Sequence, residues 1–281
     1  MDFEYVECPR DAMQGIKEFI PTDKKITYLK ALLDTGFDVI DCGSFVSPTA
    51  VPQMADTAQL LNAFLNYKHK SKLLVIVANL RGAIRACAYS NVTYLGYPFS
   101  ISETFQKRNT NTTRENAFIE LSKIQKVATV TNREVVAYMS MGFGNPYGEN
   151  YSIDLVSEWA EKISRLGINT ISIADTTSQA SPELINSVFC RLIKELPQIK
   201  FGAHFHAPME NWKEKLDAAI NAGCMRFDGA ILGFGGCPFA KNEMVGNIPT
   251  ELVLEHLKLK YKFNRIKVGT ELMNLARNTY T

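Results

Sequence analysis

Short apolar runs alternate with amphipathic stretches along the whole chain. Short runs bounded by turn residues are typical of buried strands, and apolar residues spaced three and four apart are typical of helices packed on a sheet. Eight segments have the strand pattern: residues 3–8, 37–41, 72–77, 91–95, 134–139, 170–174, 199–206 and 225–229. Eight others have the helix pattern: residues 24–34, 53–67, 81–89, 114–131, 152–166, 182–195, 211–221 and 250–259.

This alternation predicts an α/β fold. Eight strand and helix repeats in 281 residues favour a single (β/α)8 TIM barrel domain spanning 1–281 over an open doubly wound sheet. No G-x-G-x-x-G sequence follows the first strand, which argues against a dinucleotide-binding fold. Gly36, Gly167 and Gly223 stand just before strands, where left-handed helix ends are expected. A last segment, about 266–278, predicts an additional C-terminal helix that closes the barrel or joins a partner subunit.

The composition is that of an ordinary globular protein. With 46% hydrophobic residues, 21% charged residues and a net charge of +2, nothing in it indicates nucleic acid binding. No apolar run approaches the roughly 20 residues that span a bilayer, and no signal-peptide core follows the N-terminus. The six cysteines are scattered without a C-x-x-C pair, as expected for reduced thiols. We therefore expect a cytoplasmic protein with no membrane partner.

The sequence His204-Phe205-His206 closes the seventh strand-like segment. In an extended strand, residues two apart point to the same face, so both imidazoles can meet one metal ion. A buried structural pair is the alternative interpretation. The barrel context favours a functional one, because the chemistry of TIM barrels lies at the carboxyl ends of the strands.

Other polar residues fall at the same end of the predicted barrel. Each also has a plain structural interpretation, as a surface ion pair, a helix cap or a turn, but it is improbable that all of these apply on one face. The residues are Arg10, Asp11 and Gln14 after strand one, Asp41 at the end of strand two, Asp175 after strand six, and the glycine-rich stretch 233–247 after strand eight.

Strands one, seven and eight are neighbours around a closed barrel. Asp11, the two histidines and the loop after strand eight can therefore surround one cation. A carboxylate, two imidazoles and an amide oxygen suit a divalent ion, and this oxygen content favours Mg2+ or Mn2+ over Zn2+.

Three local sequences carry a family resemblance. Residues 9–14 read PRDAMQ, residues 44–48 and 51–54 read SFVSP and VPQM, and residues 235–240 read GGCPFA with Gly246-Asn247 shortly after. With these motifs the chain resembles the 3-hydroxy-3-methylglutaryl-CoA (HMG-CoA) lyases, members of the DRE-TIM metallolyase superfamily.

The resemblance implies roles for individual residues. Asp11, His204, His206 and Asn247 look like metal ligands. Arg10 looks like the cation that stabilises the enolate of the departing acetyl-CoA.

The remaining implied roles concern protons and substrate. Cys237 looks like a thiol that takes part in proton transfer and covers the site, and Asp175 matches an acidic position beside the metal. Lys17 matches a position near the CoA phosphates. Gln14 and Ser44 belong to the matched motifs and are expected to contact substrate.

The implied reaction is cleavage of HMG-CoA, or a close 3-hydroxyacyl-CoA analogue, to acetyl-CoA and acetoacetate by a retro-Claisen route. It implies Mg2+ or Mn2+, no organic cofactor, an acyl-CoA substrate and a homodimer. Two alternatives remain open: a Claisen-type synthase or aldolase on a related 2-keto or hydroxy acid, and a non-catalytic paralogue that binds acyl-CoA or metal.

Two departures from the family pattern bear on the substrate. Asp41 stands where the family has glutamate, so its carboxylate is one methylene shorter and is expected to reach Arg10 differently. After the histidines the family continues Asp-Thr-aromatic-Gly, whereas residues 207–210 here read APME. The missing aspartate removes an expected supporting partner of the metal ligands.

Overall fold

The core of the molecule is a closed barrel of eight parallel strands. The computed structural model describes residues 2–236 and 245–281. The strands pair in chain order and the last pairs with the first, which confirms the predicted (β/α)8 barrel. They are β1 (Glu4–Glu7), β2 (Val39–Ser44), β3 (Lys72–Ile76), β4 (Val92–Ser100), β5 (Glu134–Ser140), β6 (Thr170–Asp175), β7 (Lys200–Phe205) and β8 (Arg226–Gly229).

Helices connect successive strands. Within the described residues they are α1 (Pro9–Gln14), α2 (Thr22–Thr35), α3 (Thr57–Phe64), α4 (Leu80–Cys87), α5 (Glu103–Thr110), α6 (Arg114–Val130), α7 (Ile153–Ser164), α8 (Pro182–Glu195), α9 (Trp212–Asn221), α10 (Thr250–Tyr261) and α11 (Thr270–Tyr280). Short 3-10 turns lie at Pro52–Met54 and Ile231–Gly233. In the part of the chain that is described, no helix has both the length and the apolar character needed to cross a bilayer.

The local sequence explains where several helices begin. In each case the side chain of the residue before the helix accepts a hydrogen bond from the backbone N–H three residues later, which satisfies a donor that the helix leaves free. These capping residues are Asn79, Ser102, Thr113, Ser152 and Ser181. At the other ends, Gly36, Gly167 and Gly223 all adopt the predicted positive φ.

Several predicted boundaries were wrong. The strand pattern predicts an end at residue 41, but β2 continues to Ser44, so Asp41 lies inside the strand. Likewise β4 runs on to Ser100, although its Gly96 and Pro98 are residues that usually interrupt strands.

The helix predictions also needed correction. Helices α1 and α5 were missed, because six residues are too few to show periodicity and α5 is mostly polar. The predicted helix 53–67 is a 3-10 turn followed by α3. The C-terminal helix begins at Thr270 instead of residue 266.

Helix α11 packs against the barrel of its own chain. It contacts α2, where the hydroxyl of Tyr280 lies 3.1 Å from that of Tyr28. The Tyr280 ring also lies 4.8 Å from the ring of Phe234, in the loop after β8. The helix therefore supports a loop at the carboxyl end of the barrel.

Glu7, the last residue of β1, is fully buried and joins three parts of the chain. Its Oε1 accepts a hydrogen bond from the backbone N–H of Ile231 at 2.9 Å, and its Oε2 accepts one from the hydroxyl of Thr250 at 2.6 Å. Burial raises the pKa of Glu7 to about 8, and these two hydrogen bonds oppose the rise only in part. The side chain is therefore neutral near pH 7.

We predict that Glu7→Gln flattens the dependence of stability on pH. The pKa of Glu7 is higher in the folded chain than the ordinary 4.5, so its contribution is complete below about pH 4.5 and is lost as the pH rises through 8. Between pH 5 and 9 the free energy of unfolding should fall in both proteins. At about 1.4 kcal/mol per pKa unit, the fall should be smaller in the variant than in the native chain by about 1 to 4 kcal/mol. Urea unfolding measures this, with the exposed Glu115→Gln as control; equal slopes for all three proteins would contradict it.

Candidate active site and metal centre

A cavity of about 170 Å3 opens at the carboxyl ends of the strands. Its lining combines polar and apolar side chains, as expected for a site that holds a carbon skeleton beside charged groups. The polar lining residues include Arg10, Asp11, Gln14, Ser44, His204 and His206. The apolar lining residues include Val46, Val51, Ile76, Pro98, Phe105 and Ala174.

Asp11, His204 and His206 form a compact buried cluster in this cavity. One potential ligand atom from each lies within 4.8 Å of those of the other two. The two imidazole rings are 5.0 Å apart, as their spacing of two along an extended segment requires. Asp11 reaches them from α1, because β1 pairs with β8 and β8 with β7. The geometry therefore places three of the four predicted ligands at one point.

Asn247, the fourth predicted ligand, lies in the same cluster. Its Nδ2 donates to Asp11 Oδ2 at 2.7 Å and to the carbonyl of Phe234 at 2.9 Å. Among the described residues, the buried Oδ1 of Asn247 and Nδ1 of His206 have no hydrogen-bond partner. Unpartnered buried polar atoms are costly. These two atoms, next to a carboxylate, fit the ligand set of a divalent cation.

The electrostatics of two members of the cluster, His206 and Asp11, suit metal binding. Burial and the neighbouring His204 ring lower the pKa of His206 to about 4, so its imidazole is neutral near pH 7. Burial opposes ionisation of Asp11, but the neighbouring guanidinium of Arg10 overcomes this and lowers its pKa. A neutral imidazole and an ionised carboxylate are the forms that bind cations.

Asp228 is a site residue that the sequence analysis missed. Its Oδ2 lies 3.1 Å from His204 Nδ1, so the opposite ring nitrogen, Nε2, is left for the cavity. A carboxylate of this kind fixes the orientation of a metal-binding histidine. The sequence shows only that Asp228 is a carboxylate inside the strand segment 225–229, and its partner depends on how β8 lies beside β7.

Cys8 also lies near His204 and Asp228, at the start of α1. Burial raises the pKa of its thiol well above the usual value, and the surrounding carboxylates of Asp228, Asp41 and Asp11 raise it further. The thiol form is a poor metal ligand. The oxygen and imidazole groups remain the better ligand set.

Arg10 is held in place by three side chains. Its Nε and Nη2 donate to Asp41 Oδ2 at 2.9 and 2.5 Å, and its Nη1 donates to Asp11 Oδ1 at 3.1 Å and to Gln14 Oε1 at 2.7 Å. Burial alone would lower the pKa of the guanidinium, but the carboxylates of Asp41 and Asp11 raise it. Arg10 is therefore a fixed positive charge at the edge of the cluster.

Asp41 reaches Arg10 with a single oxygen. Both hydrogen bonds from the guanidinium go to Oδ2, and within the described part of the chain Oδ1 has no partner. Burial raises the pKa of Asp41 to about 6, against the opposing effect of Arg10. Asp41 is not among the described residues that line the cavity, so its contact is with Arg10.

The predicted substrate contacts divide into two groups. Gln14 and Ser44 line the cavity, and Gln14 also donates to Asp11 Oδ1 at 2.8 Å. Lys17 is exposed between α1 and α2 and is not among the described cavity-lining residues. Cys237 lies outside the described residues.

Asp175 is turned towards the outer layer of the barrel. Its Oδ2 accepts a hydrogen bond from Lys215 Nζ at 2.7 Å, and its carboxylate also accepts from the backbone N–H groups of Gln179 and Ala180. It is not one of the described residues that line the cavity. The geometry favours a structural role for Asp175 over contact with the reacting atoms.

The segment 207–210, which departs from the family pattern, lies beside the cluster of Asp11, His204 and His206. The backbone N–H of Ala207 donates to the carbonyl of Gly246 at 3.1 Å, and His206 forms a β-bridge with Asn247. The segment thus joins the end of β7 to the stretch that carries Asn247. Support for the His204 ring comes from Asp228 on β8.

A closed parallel barrel with carboxylate, imidazole and amide groups gathered at the carboxyl ends of its strands defines a class of metal-dependent TIM barrel enzymes. Comparison with known proteins identifies the family: residues 6–279 match the HMGL-like family model. The chain belongs to the HMGL-like family and is a lyase, which confirms the resemblance seen in its motifs.

Characterised relatives and solved structures agree with this assignment. The chain is 32% identical to the cytoplasmic HMG-CoA lyase of Rattus norvegicus over 88% of this chain and 73% of the relative. It is 32% identical to the mitochondrial enzyme of Gallus gallus, over 93% and 85%. An HMG-CoA lyase from Acinetobacter baumannii, solved with coenzyme A and 3-methylmalate, superposes with a TM-score of 0.86 at 29% identity and covers 99% of this chain and 90% of its own.

We predict that Asp228→Asn weakens binding of Mn2+ by about 10- to 100-fold, because His204 loses its charged hydrogen-bond acceptor. Titration calorimetry on the folded variant measures this. Asp217→Asn is a matched control, since Asp217 also contacts a histidine, His256, at 2.8 Å but lies on the outer helices. Equal affinity of Asp228→Asn and the native chain would contradict the role given to Asp228.

Proposed function

We propose that this protein cleaves HMG-CoA, or a close 3-hydroxyacyl-CoA analogue, to acetyl-CoA and acetoacetate. The observation that carries the proposal is the buried group of Asp11, His204, His206 and Asn247 beside the fixed guanidinium of Arg10. The family of the chain and the coenzyme A bound to a related lyase support the substrate class.

The four clustered residues would hold Mg2+ or Mn2+. When bound there, such an ion supplies a Lewis acid that polarises a hydroxyl or carbonyl oxygen of the substrate. The fit rests on the two unpartnered buried atoms, Asn247 Oδ1 and His206 Nδ1, and on the neutral state of His206.

Arg10 stabilises the charge that develops when the carbon–carbon bond breaks. Its hydrogen bonds to Asp41, Asp11 and Gln14 fix the guanidinium before the substrate arrives, so little reorganisation is needed in the transition state. The accepting atom is the thioester oxygen of the acetyl-CoA enolate. Asp41 acts through Arg10, since it contacts the guanidinium and not the cavity.

Cys237 remains our proposal for proton transfer to the enolate carbon. Asp41 and Asp175 are not among the described residues that line the cavity, and Asp11 belongs to the metal cluster. These three carboxyl groups are therefore not our choice of proton donor, and we assign that role to the loop after β8. The glycines Gly235 and Gly236, both at positive φ, lead directly into that residue.

The homodimer, the cytoplasmic location and the single-domain organisation stay predictions. The relatives include both cytoplasmic and mitochondrial lyases. Lys17 stays a predicted contact for the phosphates of coenzyme A, in keeping with its exposure between α1 and α2.

We predict that HMG-CoA with Mg2+ or Mn2+ yields acetyl-CoA and acetoacetate in equal amounts, and that EDTA stops the reaction. Coupled assays of both products measure this. If the chain is instead a synthase, acetyl-CoA with one of a panel of 2-keto acids releases free CoA thiol. Metal binding without product in either assay would favour a non-catalytic protein and contradict the proposal.

We predict that Arg10→Met lowers kcat by about 100- to 1,000-fold, since removal of one transition-state donor has this effect in comparable sites. Binding of Mn2+ should persist, because Arg10 is not a ligand. Arg265→Met serves as control: Arg265 pairs with Asp38 at 2.5 Å at the opposite end of the barrel, where Asp38 also contacts the start of β1. Unchanged turnover in Arg10→Met would refute the role of Arg10.

A further inference from the structure

A buried arginine lies inside the barrel, nearer the amino ends of the strands than the proposed metal ligands. Arg226, the first residue of β8, is only 1% exposed. Its Nη1 donates to Asp228 Oδ1 at 2.9 Å and its Nε donates to Glu4 Oε1 at 3.0 Å. Glu4 in turn contacts Lys200 Nζ at 2.6 Å at the amino end of the barrel.

Asp228 joins this arginine to the metal cluster. Its Oδ1 accepts the hydrogen bond from Arg226. Its Oδ2 lies 3.1 Å from His204 Nδ1 and accepts a hydrogen bond from the Ser172 hydroxyl at 3.3 Å. The two oxygens are thus engaged on opposite sides. A partial rotation of the carboxylate would weaken the contacts on both sides.

The barrel provides space for the guanidinium. Gly202 on β7 pairs with Arg226, and a Cβ on Gly202 would lie 2.8 Å from Arg226 Nη1 and 3.3 Å from its Cδ. A side chain at this position would push the guanidinium away from Asp228. The absence of a side chain at Gly202 therefore provides the space that the guanidinium of Arg226 occupies.

Stability alone does not account for such a residue. Replacing a buried ion pair with apolar side chains is often neutral or stabilising, because both charges must be desolvated. The presence of a buried ion pair is better explained where the pair fixes neighbouring groups in one geometry. Here the imposed geometry is that of His204.

We propose that Arg226 is a positioning residue that fixes Asp228 and, through it, the orientation of the His204 ring towards the metal. The inference rests on the metal site of the proposed function. It adds a residue from the interior of the barrel that is not one of the four proposed ligands and is not among the described residues that line the cavity.

The test is metal binding by folded variants. Arg226→Met should bind Mn2+ about 10- to 100-fold more weakly than the native chain in calorimetry, as for loss of other supporting partners of metal ligands. Its Co2+ complex should show an altered visible spectrum. Arg226→Lys, which keeps a positive charge near Asp228, should recover part of the affinity.

A double-mutant cycle shows whether Arg226 acts through Asp228. In an Asp228→Asn background, Arg226→Met should cause little further loss of Mn2+ affinity, because the connection is already broken. Additive losses would mean that Arg226 acts by another route and would overturn the proposal.

Two further variants guard against general effects on folding. Gly202→Ala keeps every charge but crowds the guanidinium, and it should weaken Mn2+ binding by a smaller factor. Lys25→Met removes another buried cation, whose Nζ lies 3.0 Å from Asp56 Oδ1. Neither residue is among the described residues that line the cavity, so this variant should leave the Mn2+ affinity unchanged.

The outcomes separate this inference from the proposed function. If the native chain and both Arg226→Met and Gly202→Ala bind Mn2+ equally well, the role of Arg226 is refuted and the metal site stands. If the native chain binds neither Mn2+ nor Mg2+, the metal site and the role of Arg226 are both refuted.

Discussion

Pairing of the first strand with the last is the constraint on which the rest of the site depends. The register of β1 on β8 places Glu4 opposite Arg226 and Glu7 opposite Gly229. Helix α1 follows β1 at once, so Asp11 lies next to His204 and His206, which come more than 190 positions later in the chain. Without this closure, the carboxylate of Asp11 would not lie beside His204 and His206.

The charged side chains of the site are buried, and each of them therefore needs a partner of opposite charge. Arg10 lies between Asp41 and Asp11, and Arg226 lies between Glu4 and Asp228. The low dielectric raises the pKa of Asp41 to about 6 and lowers that of His206 to about 4. Desolvation therefore favours neutral forms, and the ion pairs decide where charge remains.

Much of this arrangement could be predicted from the sequence. Periodicity gave all eight strands, and the spacing of His204 and His206 gave their shared face, because both follow from local geometry. The roles of Asp228 and Arg226, and the contact of Asp41 with Arg10, could not be predicted with the same rules. Their roles depend on which strand lies alongside and on a register of one or two residues, and neither is encoded by local pattern. Asp175 illustrates the same limit, since its turn towards Lys215 is set by a tertiary contact.

The central claim is that one divalent ion lies among Asp11, His204, His206 and Asn247. Anomalous diffraction from crystals grown with Mn2+ tests it most directly. The account predicts a single strong peak within ligand distance of all four side chains, about 2.0 to 2.3 Å from the oxygen and nitrogen atoms. A peak elsewhere in the molecule, or no peak in a chain that cleaves HMG-CoA, would contradict it.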